Sequence, residues 1–246
     1  MTKSAAEIRE ALALKIKDEL AGPVLLRMIA EYDGWMMPNS FMHVGDPPVQ
    51  YALMFTDEDA YKYAQHEFGD ENVPDEYLQL PGSKILAMLS GSVDSISVNP
   101  CADESISFPK QLLPELTKWG EAIEVERALS CVLQNDASWK TIRSYSNYMV
   151  PVIQTPGGDF APLPAPDSKG RKLLAAFTFS DALNAYVFDQ HDGKPVDATI
   201  YSGEALCKWV LESACDGVVF NCCGPNRPIA FAKEFAREVL EHSVSA

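Results

Sequence analysis

Positive charge is what this chain most lacks. Lysine and arginine number 20 against 35 aspartates and glutamates, a formal net charge of −15. Such an acidic surface repels phosphate backbones and anionic headgroups, which argues against nucleic acid and membranes as partners. It suits a basic protein partner, because opposite charges steer association. Acidity that only keeps the protein dissolved is the plainer alternative. Long apolar runs are missing too. The opening stretch MTKSAAEIREALALKIKDEL carries charges throughout and has no signal-peptide apolar segment, and no later stretch reaches membrane-spanning length. The six cysteines include no CxxC pair, so they are expected to be reduced thiols in a cytoplasmic protein.

The usual catalytic signatures are also absent. There is no Walker A loop, no GxGxxG fingerprint and no GxSxG elbow. The histidines His43, His66, His191 and His242 fall in no HxxxH or HExxH spacing, and no DxDxDG calcium loop occurs. Carboxylates are so abundant that pairs without spacing logic carry no weight. The expectation is a non-enzymatic protein with no catalytic residues, no cofactor and no metal.

What is present is a duplication. YALMFTDEDAYKYA (Tyr51 to Ala64) lines up with LAAFTFSDALNAY (Leu174 to Tyr186), and Phe55-Thr56 returns as Phe177-Thr178, 122 positions on. SISVNPCADESISF matches GVVFNCCGPNRPIAF, with Asn99 falling on Asn221 at the same offset and Phe108 on Phe231 one position later. WMMP (Trp35 to Pro38) resembles YMVP (Tyr148 to Pro151). Each copy reads as a short apolar strand, a helix, a second short helix, a β-hairpin and a closing helix. Thr56 with Asp59, and Thr178 with Asp181, look like the caps that hand strand over to helix. In SISVN the serines are expected on the pleat opposite Ile96 and Val98.

The fold class is therefore α+β: two tandem homologous α/β-sandwich units with mixed or antiparallel sheets, preceded by an N-terminal helix. The expected division is a helix over 1–21, a first unit over 22–120, and a helical connector with the second unit over 121–246. Ser4 and Glu7 form a capping box for the first helix, and Gly22-Pro23 marks its end. The Pro/Gly-rich stretch from Gln154 to Lys172 reads as a long loop, functional or merely mobile.

Two features remain as site candidates. Asp57 to Glu76 holds Asp57, Glu58, Asp59, Glu67, Asp70, Glu71, Asp75 and Glu76 with one lysine, a formal −7; the matching stretch of the second copy carries −3. It reads either as a solvated helix face or as a contact surface for a basic partner. The second candidate is the loop NCCGPN. Cys223 falls on Cys101 and Cys222 on Pro100, so only one thiol is shared. Asn-x-Cys then reads first as hairpin geometry. Cys223 is kept as a candidate reactive thiol, with Arg227 as its one basic neighbour in the loop.

MFTDEDA with ISVNP, and AFTFSDA with VVFNC, resemble two units of the SseB family, the enhanced serine sensitivity proteins. Pro100-Cys101 and Cys222-Cys223 depart from the NPG common in that family. The resemblance covers about Pro23 to Glu241. It implies a protein-interaction module with no catalytic residues to carry over, in a family that neighbours polymorphic toxins in some bacteria. The expected function is thus a cytoplasmic protein-binding module, specifically a bacterial immunity protein that neutralises a toxin through its acidic face. The rival expectations are a small-molecule sensor or enzyme with a site between the two units, and a homo-oligomer docked through its N-terminal helix.

Overall fold

The computed structural model of the chain describes residues 3–89, 91–131, 136–155, 157–165, 169–191, 196–223 and 228–242. It divides into two compact units, Met1–Ile123 and Glu124–Ala246. Both are α+β, with mixed and antiparallel sheets.

In the first unit, α1 (Ala5–Ile16) begins on the capping box. The Ser4 hydroxyl accepts from the Glu7 amide, and the Glu7 carboxylate accepts from the Ser4 amide at 2.8 Å. Ile8, Ala11 and Leu12 bury its apolar stripe inside its own unit. The helix stops at Ile16, well before Gly22-Pro23. Those two residues instead open α2 (Gly22–Glu31), where the N–H that proline lacks would have had no helical partner. Then follow β1 (Trp35–Pro38), β2 (Met42–Val44), β3 (Val49–Met54), α3 (Glu58–Phe68), β4 (Tyr77–Leu80), α4 (Gly82–Leu89), β5 (Ser95–Val98) and β6 (Ile106–Pro109). A 3-10 turn (Lys110–Leu112) leads into α5 (Leu113–Cys131). The sheet order is β2-β3-β5-β6, parallel only between β3 and β5; β1 pairs with β4, and a Met36–Phe55 bridge ties β1 to the end of β3.

All four residues of β5 are buried, serines included. A central strand is covered on both faces, so alternation does not separate inside from outside. The serine hydroxyls find partners there: Ser95 donates to the Phe108 carbonyl at 3.0 Å, and Ser97 meets Ser107 at 3.1 Å. Closing helix and connector form one continuous helix, α5. Gly120 lies within it because a Cβ there would come 2.8 Å from the Ser83 carbonyl oxygen of α4.

The second unit comprises α6 (Asp136–Ser144), β7 (Tyr148–Gln154), β8 (Phe160–Pro162), β9 (Leu173–Ala176), α7 (Ser180–His191), β10 (Asp197–Tyr201), α8 (Gly203–Glu212), β11 (Gly217–Phe220), β12 (Ile229–Ala232) and α9 (Lys233–Glu241). β9 and β11 are parallel, β11 and β12 antiparallel, and a Met149–Phe177 bridge repeats the Met36–Phe55 link. The Gln154–Lys172 stretch is less loop-like than its composition suggests, since β8 folds back onto β7.

The duplication extends to single atoms. Gly82 N donates to the Tyr32 carbonyl and Gly203 N to the Tyr145 carbonyl, both at 2.7 Å. The Ile29 carbonyl accepts from Trp35 Nε1 at 2.8 Å; the Ile142 carbonyl accepts from the Tyr148 hydroxyl at 3.1 Å. A Cβ at Gly82 or Gly203 would lie 1.9 or 2.0 Å from those same Ile29 and Ile142 oxygens. Glycine is required at both helix starts because backbone occupies the space a side chain would need.

Candidate functional site

The recurring asparagine is a backbone clamp. Asn99 and Asn221 are buried and adopt positive φ, 45° and 52°. Asparagine tolerates that conformation better than most side-chain-bearing residues. Each closes the gap where β3 or β9 leaves its sheet. Asn99 Oδ1 accepts from Thr56 N, and Asn221 Oδ1 from Thr178 N, both at 2.9 Å. Their Nδ2 groups donate to Thr56 Oγ1 at 3.0 Å and Thr178 Oγ1 at 2.9 Å. Their backbone amides donate to Met54 O and Ala176 O. Thr56 is thus not the helix cap. Asp57 is, accepting from the Ala60 amide at 2.9 Å, while the Thr56 hydroxyl is engaged by Asn99 and by Asp57.

Cys101 and Cys223 also share positive φ, 70° and 66°. Each has a helix carboxylate nearby at matching positions, Glu67 for Cys101 and Asp189 for Cys223. Burial first, and that carboxylate second, push both thiols above their ordinary value. Cys222 is buried and pushed up to about 12, chiefly by burial. The described surroundings of Cys223 therefore disfavour the thiolate a nucleophile needs. Arg227 lies outside the described residues, as do Gly224, Pro225 and Asn226.

The acidic stretch occupies α3 and the turn leading to β4. Glu58, Asp59, Glu67, Asp70, Glu71, Asp75 and Glu76 are exposed; Asp57 is half-buried. Asp57 is committed to the helix cap and to Arg9, 3.5 Å away. Glu58 pairs with Lys62 at 2.6 Å, Glu67 contacts His66, and Asp75 accepts from Gln65. Asp59, Asp70, Glu71 and Glu76 form no ion pair with another described residue. Apolar groups that the charge count missed lie among these acids. Tyr63 is 51% exposed, Tyr77 41% and Leu78 42%. The Tyr77 ring rests 5.0 Å from Tyr61, whose hydroxyl donates to the Pro74 carbonyl. Among the described residues β4 pairs only with β1, and none of them pairs with its other edge. Strand propensity in YLQL was the signal available for this edge.

Among the described residues, no group of three or more histidine, cysteine, aspartate or glutamate side chains could hold a metal ion. Nor is any described helix long and apolar enough to cross a membrane. The fold and this surface define a duplicated α+β protein with one acid-rich unit. The chain matches no protein-family model, no curated protein and no solved structure.

Proposed function

We propose that this is a non-enzymatic, cytoplasmic binding protein of two SseB-like units, and that the first unit uses its α3–β4 face to hold a basic protein partner. In its specific form the partner is a toxin domain and the protein its bacterial immunity factor. The observation that supports this is an asymmetry between twins. α3 and α7 start from the same FT-x-x-D pattern, yet the α3 stretch carries a formal −7 against −3. Tyr63, Tyr77 and Leu78 stand exposed among those acids. Exposed tyrosine within a complementary charge field is a composition typical of binding hot spots.

The test is co-purification from the native host at about 50 mM and about 1 M salt, where the screening length falls to about 3 Å. A variant with Asp59→Asn, Glu71→Gln, Asp75→Asn and Glu76→Gln is run beside the wild type. These four acids lie outside the Asp57 cap, so the fold should survive. The captured partner should associate at least about tenfold more slowly with the variant at low salt, and the difference should vanish at high salt. Equal association of both proteins with every captured partner would refute the reading.

A further inference from the structure

The first unit contains a cavity of about 230 Å³ bounded by α1, α2, β6 and the start of α5. Its walls include Leu26, Phe108, Leu112 and Leu116, and Lys15 and Glu115 stand at its rim. An engineered apolar cavity of about 150 Å³ already admits benzene.

The second unit shows what such a space accepts. By the offset that relates Ile29 to Ile142, Leu26 corresponds to Trp139; by the offset that relates Phe108 to Phe231, Leu112 corresponds to Phe235 and Leu116 to Val239. There the rings pack together. Phe231 stacks on Phe235 with centroids 3.9 Å apart, and Trp139 lies 5.6 Å from Phe235. Where the second unit has an indole and a phenyl ring, the first has two leucines and a cavity. The framework is the same; the space that rings fill in the second unit is open in the first.

The rim adds chemistry. The only ion pair of Lys15 with a described residue is to Asp18, at 3.5 Å, and Asp18 is almost fully exposed. A contact like that is weak and easily exchanged. Glu115 forms no ion pair with another described residue. One cation and one anion at the mouth of an apolar cavity match a ligand that carries both charges beside an apolar body. Such a zwitterion also enters a chain of net charge −15 without the repulsion an anion would meet.

We propose that this cavity binds a small aromatic zwitterion, its ring where the second unit places Trp139 and Phe235, its carboxylate on Lys15 and its ammonium on Glu115. The aromatic amino acids are the simplest probes. This assignment is independent of the acidic α3–β4 face, which contains none of these residues.

The test is calorimetric titration of the full chain with L-tryptophan, L-phenylalanine and indole. L-Tryptophan should bind saturably. Leu26→Trp, which copies the second unit, should weaken it at least about tenfold; Leu112→Phe serves as a second filling variant should Leu26→Trp melt early. Lys15→Met and Glu115→Gln should each weaken L-tryptophan about fivefold or more and leave indole unchanged, because indole carries neither charge. Trp139→Leu, in the other unit, should leave the wild-type affinity in place. Absence of saturation by about 10 mM L-tryptophan, beyond the millimolar range, would overturn the assignment. So would undiminished binding to both filling variants. Equal losses for indole and L-tryptophan in Lys15→Met would refute the zwitterionic ligand.

Discussion

Replacing Asn99 by alanine removes a clamp whose two components can be weighed separately. The first is the hydrogen bond from the Thr56 amide. Thr56 and Asn99 are fully buried, so that N–H would lose its acceptor with no water at hand. A buried donor left unsatisfied costs about 1–3 kcal/mol. The second is conformational. Residue 99 holds φ of 45°, and alanine in the left-handed region costs roughly 1–2 kcal/mol. Together Asn99→Ala should destabilise the first unit by roughly 2–5 kcal/mol. Asn99→Gly removes the side chain but not the conformational ease, so it should lose only about 1–3 kcal/mol. The difference between alanine and glycine therefore isolates the backbone part. Urea unfolding followed by circular dichroism and tryptophan fluorescence reads both, with Asn221→Ala and Asn221→Gly as the matching pair in the second unit. A loss under about 0.5 kcal/mol for Asn99→Ala, the scale of an ordinary surface substitution, would refute the clamp. A glycine variant no more stable than the alanine variant would refute the conformational half.

Gly82→Ala and Gly203→Ala should each cost about 3 kcal/mol or more in thermal or urea unfolding, because the new methyl meets a backbone carbonyl that cannot rotate away; a loss under about 1 kcal/mol would show that the helix start shifts freely. Iodoacetamide should label exposed Cys101 and Cys131 first in the native protein, with buried Cys207 and Cys222 reacting only after unfolding. Native labelling of Cys222 as fast as Cys131 would contradict its burial. Stability should fall at alkaline pH. Cys207 and Cys222 are both held up to about 12, mainly by burial, and burial also raises Tyr148 well above its ordinary value. The folded state then keeps protons that the unfolded state releases. The penalty is absent below the unfolded thiol value near 8.5 and grows above it by up to about 1.4 kcal/mol per pH unit for each thiol. Cys207→Ala should flatten that slope measured from pH 8 to 10; an unchanged slope would exclude Cys207 as its source.

The duplication was legible because it rests on spacing, and spacing survives where side chains change. FT, Asn-x-Cys and the order of elements carried the class and the hairpins. Three features that sequence alone missed share one cause: a partner distant in the chain. Thr56 looks like a cap until Asn99, 43 residues on, engages its hydroxyl. The serines of β5 alternate with Ile96 and Val98 as expected, but their burial rests on Phe108 and Ser107, which receive their hydroxyls. β4 and β10 are short strands whose ladder partners among the described residues, β1 and β7, lie earlier in each unit, so no local turn signal announces them. Of the acidic face, the charges were visible in sequence. The exposed Tyr63, Tyr77 and Leu78 were not, because exposure of an apolar residue has no local signature.

The two copies act as controls for each other. Positions that do the same work in both units are the ones where backbone geometry allows little else. Gly82 and Gly203 face carbonyl oxygens, and Asn99 and Asn221 supply the same acceptor to the same amide. Such positions report the fold and are poor places to look for what distinguishes one unit from the other. The departures are concentrated elsewhere. Charge differs on the stretches containing α3 and α7, and ring volume differs between Leu26 and Trp139 and between Leu112 and Phe235. Neither change is demanded by the tethers, which are intact in both units. A substitution that carries the first unit toward the second at these positions, neutralising the α3 acids or filling the cavity at Leu26, should therefore alter binding more than unfolding free energy. One at the glycine or asparagine positions should do the reverse. That separation makes the acidic face and the cavity testable as functional features without confusing a lost site with a lost fold.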